Sequence, residues 1–155
     1  KGKNLKKFEK ISTINCKIED LFEFHIDIKN LQNITPPDTK VNLLNKDFVP
    51  VEGGVLKIKT VKSFIPTTWE VQIAKIQKPN ILVDIALKSP FKYWKHSHIF
   101  TQKGNICELK DIVEYELPFG KIGDLFDFFI QNELKKMFDY RHKVTKEILN
   151  YKSRK

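Results

Sequence analysis

PFKYWKHSHIFTQKGNICELKDIVEYELP, residues 90–118, reads as two long strands joined by a tight turn near Lys103-Gly104. Successive side chains of a strand point to opposite sides, so Trp94, His96, His98 and Phe100 share one face of the first strand. On the second, Cys107, Leu109, Asp111, Val113 and Tyr115 share a face, while Glu108, Lys110, Glu114 and Glu116 take the other. A two-residue loop at Lys103-Gly104 sets His96 opposite Asp111, and a slip by two sets His98 there. In both registers two imidazoles and a carboxylate sit on an otherwise aromatic and aliphatic face. That face is the strongest functional signal in the chain.

Working outward, further strand patterns cover 8–14, 40–44, 54–64, 68–76 and 81–87, punctuated by Gly53-Gly54, Pro66 and Pro79-Asn80. Leu56, Ile58, Thr60 and Phe64 share a face, as do Trp69, Val71 and Ile73, and also Ile81, Val83, Ile85 and Leu87. After the first strand, Asn15 or Cys16 is expected to cap a helix carrying Ile18, Leu21, Phe22 and Phe24, with Glu19 and Asp20 in its first turn. His25 on that helix reads as a surface or boundary residue. A second short helix over 28–32 must stop before Thr35-Pro36-Pro37. Residues 122–151 read as a long amphipathic helix, with Phe126, Phe129, Ile130, Leu134, Met137, Val144 and Ile148 in one stripe. Glu133 and Arg141 fall within that stripe, and His142 falls on the far side with Asp124, Lys135, Asp139, Lys143 and Lys146. Leu125 and Phe128 lie off it, placed to line a mouth or a contact surface.

A chain of 155 residues with 41% hydrophobic side chains supports one domain, residues 1–155, with a substantial core, and twelve Phe supply aromatic filling for it. The net charge of +9 comes mostly from scattered Lys. No basic helix and no interleaving of basic with aromatic residues appears, so the charge does not indicate nucleic acid; weak association with an anionic membrane surface fits it. Cys16 and Cys107 have no metal-ligand spacing and suit reduced thiols in a cytoplasmic protein. No apolar run is long enough to span a bilayer and no signal-peptide pattern opens the chain. The first residue is Lys rather than Met, which fits a short leader lost or left out. No Gly-rich phosphate loop suggests a cofactor, since Gly53-Gly54 is a turn signal only.

The expected architecture is α+β: a curved antiparallel sheet of about seven strands wrapped around the long C-terminal helix, with two short helices after the first strand. An aromatic-rich sheet closed on one helix is expected to leave a cavity at its open end. NLQNITPP (30–37), VDIALKSPFKYWKHSHIF (83–100), DIVEYELPFGKIG (111–123) and MFDYR (137–141) resemble, in order and spacing, the START-like, helix-grip (SRPBCC) superfamily. That superfamily takes in polyketide cyclase/dehydrase-like proteins. The nearest resemblance is to bacterial ligand-binding SRPBCC proteins, some described as cell-division inhibitors. Ser89 stands where that subgroup usually has Gly. The resemblance covers nearly the whole chain and implies a hydrophobic cavity for a lipid or polyketide-like molecule, without implying one reaction.

Binding of an apolar small molecule between sheet and helix is therefore the expected function, by Trp69, Trp94, His96, His98, Phe100, Asp111, Tyr115, Glu133, Met137 and Arg141. The alternative is a cyclase, dehydratase or isomerase using His96, His98 and Asp111, with an imidazole as general base. No Ser or Cys stands out as a nucleophile, and no metal or cofactor is expected. A lone carboxylate on an apolar face needs a partner, and Arg141 is the expected one for Asp111, as ligand anchor or as a buried ion pair.

Overall fold

The computed structural model describes residues 5–153, with side chains through residue 150. Its elements run β1 (Lys6–Ile14), α1 (Ile18–Ile26), a 3-10 turn at Ile28–Asn30, β2 (Thr39–Leu43), β3 (Val55–Lys62), β4 (Ile65–Gln77), β5 (Ile81–Lys88), β6 (Tyr93–Lys103), β7 (Ile106–Glu116), α2 (Gly120–Asp124) and α3 (Asp127–Ser153). The seven strands form one antiparallel sheet in the order β1-β7-β6-β5-β4-β3-β2. The chain crosses once from edge to edge through α1 and then returns as a meander of hairpins. Consecutive antiparallel strands need only short links, which the Gly and Pro punctuation supplies.

The hairpin of β6 and β7 turns at Gly104-Asn105, with Gly104 at φ 61°, where an L side chain would be strained. Lys103 pairs with Ile106, so His98 stands opposite Asp111. Upstream, the residue flanking α1 is Lys17, whose side chain makes no capping bond; the Ile18 N–H is instead met by Gln102 Oε1 at 3.0 Å. Neither Asn15 nor Cys16 caps the helix, and Cys16 is buried in the core.

Two clusters fill the space between sheet and helices. Ile14, Leu21, Phe22, Phe24, Phe100 and Leu149 belong to one, and Phe8, Trp94, Val113, Tyr115, Leu134 and Phe138 to the other. Along α3 the buried positions are Leu134, Phe138, His142, Thr145 and Leu149, a ladder of i+4 and i+3 steps. This is not the expected stripe: Phe126 and Phe129 are exposed, and Ile130, Met137, Val144 and Ile148 are half-buried. Reading apolar residues alone rotated the helix, because two of its five buried positions are polar.

Two strand faces also differ from expectation. Phe64 lies beyond β3 in the turn, fully exposed, rather than inward with Ile58. On β5 the pairing of Leu82 with His98 and Asp84 with His96 turns Leu82, Asp84 and Ala86 inward, so Ile81, Val83, Ile85 and Leu87 form the outer row, in which Val83 is nonetheless buried. Among the described residues, no helix is long and apolar enough to cross a membrane.

Candidate functional site

Antiparallel register sets an inward row across the middle of the sheet: Ser12 on β1, Asp111 on β7, His96 and His98 on β6, and Asp84 on β5. From above, α3 adds His142. Asp111 is 3% exposed and is the hub. Its Oδ1 accepts from His96 Nε2 at 2.7 Å and its Oδ2 from His142 Nε2 at 2.6 Å. His98 Nδ1 lies 3.1 Å from the same Oδ1, close enough for charge attraction but without the geometry of a directed hydrogen bond. On its other side, His98 Nε2 donates to Asp84 Oδ2 at 3.2 Å. His142 Nδ1, 2.7 Å from Ser12 Oγ, accepts from that hydroxyl when the ring is neutral.

The charges follow from these contacts. Burial alone would lower the His98 pKa, but the hydrogen bond to Asp84 and the closely placed charge of Asp111 outweigh it and raise it to about 9. Burial would raise the Asp111 pKa, and the bonds from His142 and His96, with the His98 imidazolium close by, instead hold it well below the carboxylate range. His96 is pushed down by burial and by the neighbouring His98, so it stays neutral. At neutral pH a buried imidazolium therefore sits between two carboxylates. One donor atom each of Asp84, His96 and His98 lies within 4.8 Å of the others, a spacing on which a metal cation could close. The proton on His98 already supplies positive charge there.

Arg141 is not the partner of Asp111. Among the described residues it makes no ion pair within 4.0 Å; its guanidinium lies 5.5 Å from the Phe138 ring centroid, with Nε buried and without a hydrogen bond. Three imidazoles fill the space around Asp111, so the expected pair is replaced by a histidine cluster. Glu133 is drawn to the rim by Lys62 of β3 and does not face the cluster. Tyr115 is fully buried, donating to Asp127 Oδ1 and accepting from Gln131 Nε2. Trp69 and Trp94 meet edge-to-face, centroids 5.3 Å apart, and Phe91 packs on both. Phe100 sits beneath Phe22 and His25, and Met137 flanks the second core cluster.

The expected cavity between sheet and α3 is a void of about 10 Å³, bounded by His25, His96, His98, Asp111, Phe138 and His142 among others. That is room for one water. Phe22, Phe100 and Phe138 occupy the interior instead. Ser12, His142 and Asp111 stand in the order of a nucleophile, base and orienting acid. Ser12 does not line the void, however, and the void is too small for a substrate.

A larger hollow, about 300 Å³ and almost wholly apolar, opens where the β5–β6 and β7–α2 connections meet the start of α3. Pro90, Phe91, Leu117, Pro118, Phe119, Phe126 and Ile130 line it. None of the ten expected ligand-binding residues does so directly. Phe91 is the link, being both a wall of the hollow and a neighbour of Trp69, Trp94 and Tyr115. The PF of SPFKYW and of ELPFG was the sequence signal for it. His142 was missed because it was assigned to the far side of its helix, and Asp84 because it falls between the aliphatic residues that mark its strand.

No family model and no curated protein matches the chain. Solved structures do. TTHA0849 from Thermus thermophilus superposes with a TM-score of 0.76 at 13% identity, over 96% of this chain and 99% of that one. The chain has the helix-grip fold. The same architecture, a seven-stranded antiparallel sheet closed by a long C-terminal helix, recurs in Thalictrum flavum norcoclaurine synthase (TM-score 0.73, 11% identity, 96% of each chain). It also recurs in the di-domain ARO/CYC StfQ from the steffimycin biosynthetic pathway, with a TM-score of 0.75 at 10% identity over 96% of this chain and 52% of that one. The superpositions establish the shared fold, and identities this low leave function to the site.

Proposed function

We propose that the chain binds an apolar small molecule, a lipid or polyketide-like compound, in the hollow beside α2. The observation that carries this is the hollow itself: about 300 Å³ with an almost purely apolar lining, at the lower end of the range of ligand pockets. Water in such a space has few polar partners, so an apolar ligand gains from displacing it. The fold adds support, since one structural neighbour is a synthase solved with a transition-state analogue and another is an ARO/CYC. Phe91 lets an occupant press on the Trp69–Trp94–Tyr115 group behind it. Of the sequence-expected residues, Trp69, Trp94 and Tyr115 then act as the wall behind the pocket.

The alternative, catalysis by His96, His98 and Asp111, lacks room, because those groups face a space that holds one water. Buried free thiols at Cys16 and Cys107 suit a reducing compartment, and we place the protein in the cytoplasm. Native mass spectrometry of the purified chain, followed by organic extraction, tests the binding reading. A copurifying apolar compound is expected, released when Phe91 or Ile130 is replaced by a polar residue. Retention of the compound by both variants would place it elsewhere.

A further inference from the structure

The end of the molecule that carries the hollow also carries an unusual surface. Five of the twelve phenylalanines are exposed, namely Phe64, Phe119, Phe126, Phe128 and Phe129. All five lie at the edge where β3, β5 and β7 end and where β4 and β6 begin. Ile122 and Leu125 extend the patch along α2 to its end, and Lys62 of β3 pairs with Glu133 to hold the β3–β4 turn against α3. Scattered exposed apolar residues need no explanation, but this many gathered at one end of the molecule do. Phe64 is 98% exposed and Phe119 83%, and both have positive φ, 64° and 67°. Left-handed backbone favours glycine and disfavours a bulky aromatic. The fold therefore holds its two most exposed rings in water on backbone that opposes them.

We propose that this end docks on an anionic lipid bilayer, and that the hollow draws its ligand from there; the second clause rests on the binding reading above, the first does not. Charge selects the bilayer over a second copy of the chain. Three acids near the patch are paired with lysines, Asp124 with Lys6, Glu116 with Lys92 and Glu133 with Lys62, while Asp127 accepts from the neutral Tyr115 hydroxyl. Lys88 and Lys121 beside them are exposed. Two chains of net charge +9 repel each other, whereas anionic headgroups attract lysines within a Debye length of the surface. Aromatic rings flanked by lysines suit the headgroup boundary, with rings at the acyl edge and ammonium groups among phosphates. Phe119 and Phe126 both line the hollow and belong to the patch, so the hollow opens on the docking face.

Flotation of the full chain with vesicles tests this. The chain is expected to float with vesicles of phosphatidylcholine mixed with phosphatidylglycerol, much less with phosphatidylcholine alone, and less as salt is raised. Ile122, Leu125 and Phe128 are exposed and do not line the hollow, so the triple serine variant should fold and still bind its ligand in solution. Removing three large apolar contacts is expected to weaken vesicle binding at least about tenfold. Absence of the parent from the anionic vesicles, or equal flotation of parent and variant, overturns the proposal. So does sedimentation of the parent as a dimer that the same variant dissociates, since the patch would then serve a second copy. Ligand bound in solution by a chain that never floats would sink docking and leave the hollow intact; the converse result would separate them the other way.

Discussion

Raising the pH from 6.5 towards 9 is expected to destabilise the folded chain, because one buried imidazole must give up its proton. His98 is 9% exposed and lies between Asp84 and Asp111, which raise its pKa from the ordinary 6.5 to about 9 despite burial. The folded state then holds this proton more tightly than the unfolded state does. The stabilisation is complete below 6.5 and is lost as pH rises through 9. At about 1.36 kcal/mol per pKa unit, a rise of that size contributes about 3 kcal/mol, a large share of the roughly 5–15 kcal/mol of an ordinary domain. On the acid side the sign reverses. Burial lowers the pKa of His25, to about 3, and also that of His96, so both resist the proton that the unfolded chain accepts. Asp111, with its depressed pKa, loses its contribution at still lower pH. Stability should therefore peak near pH 6.5 and fall on both sides. Urea unfolding followed by the fluorescence of Trp69 and Trp94 measures it across that window. His98→Gln should remove the alkaline decline. A parent profile that is flat from 6.5 to 9, or a decline that survives in the variant, would refute the assignment of His98 as a buried cation.

Replacing Asp111 with Ala should cost about 3–5 kcal/mol, because it leaves a buried imidazolium short of a counter-charge. In double-mutant cycles by urea unfolding, Asp111 should couple more strongly to His142, which bonds it at 2.6 Å, than to Arg141, which does not; the opposite order would restore the ion pair expected from the sequence. Phe119→Gly should leave stability unchanged or raise it by up to about 1 kcal/mol, since glycine suits the positive φ, while weakening apolar-ligand binding through loss of one wall of the hollow. Thermal unfolding and a fluorescent-probe titration of the same variant check both halves.

The β6–β7 hairpin was legible because alternation in 90–118 is strict and Gly104 supplies a turn signal; within it only the register, one of two choices two residues apart, needed the structure. The α3 face was not legible in the same way. His142 and Thr145 are polar, and nothing local says that a carboxylate on β7 and the Arg141 backbone carbonyl will receive them. Asp84 was hidden by the neighbouring Ile81, Val83 and Ile85, whose β-branched side chains mark a strand but not which side of it is buried. Seeing them as the outer row required the pairing to β6. The interior void was overestimated for a different reason: aromatic content gives the volume available for filling, not whether the rings leave space between them. Phe64 and Phe119 break the local preference for glycine at positive φ, and neither pattern nor propensity announces such a position.

Methyl-labelled NMR during titration with anilinonaphthalene sulfonate, an amphiphilic fluorophore whose aromatic rings seek apolar sites, distinguishes a ligand beside α2 from one between sheet and α3. Leu117 and Ile130 line the hollow, Ile34 and Leu109 line the interior void, and Ile122 and Leu125 lie on the exposed patch outside both. Saturable shifts are expected at Leu117 and Ile130, with Ile34 and Leu109 unmoved. Saturable shifts at Ile34 and Leu109 would contradict the account and return the ligand to the core, and shifts confined to Ile122 and Leu125 would leave the hollow empty.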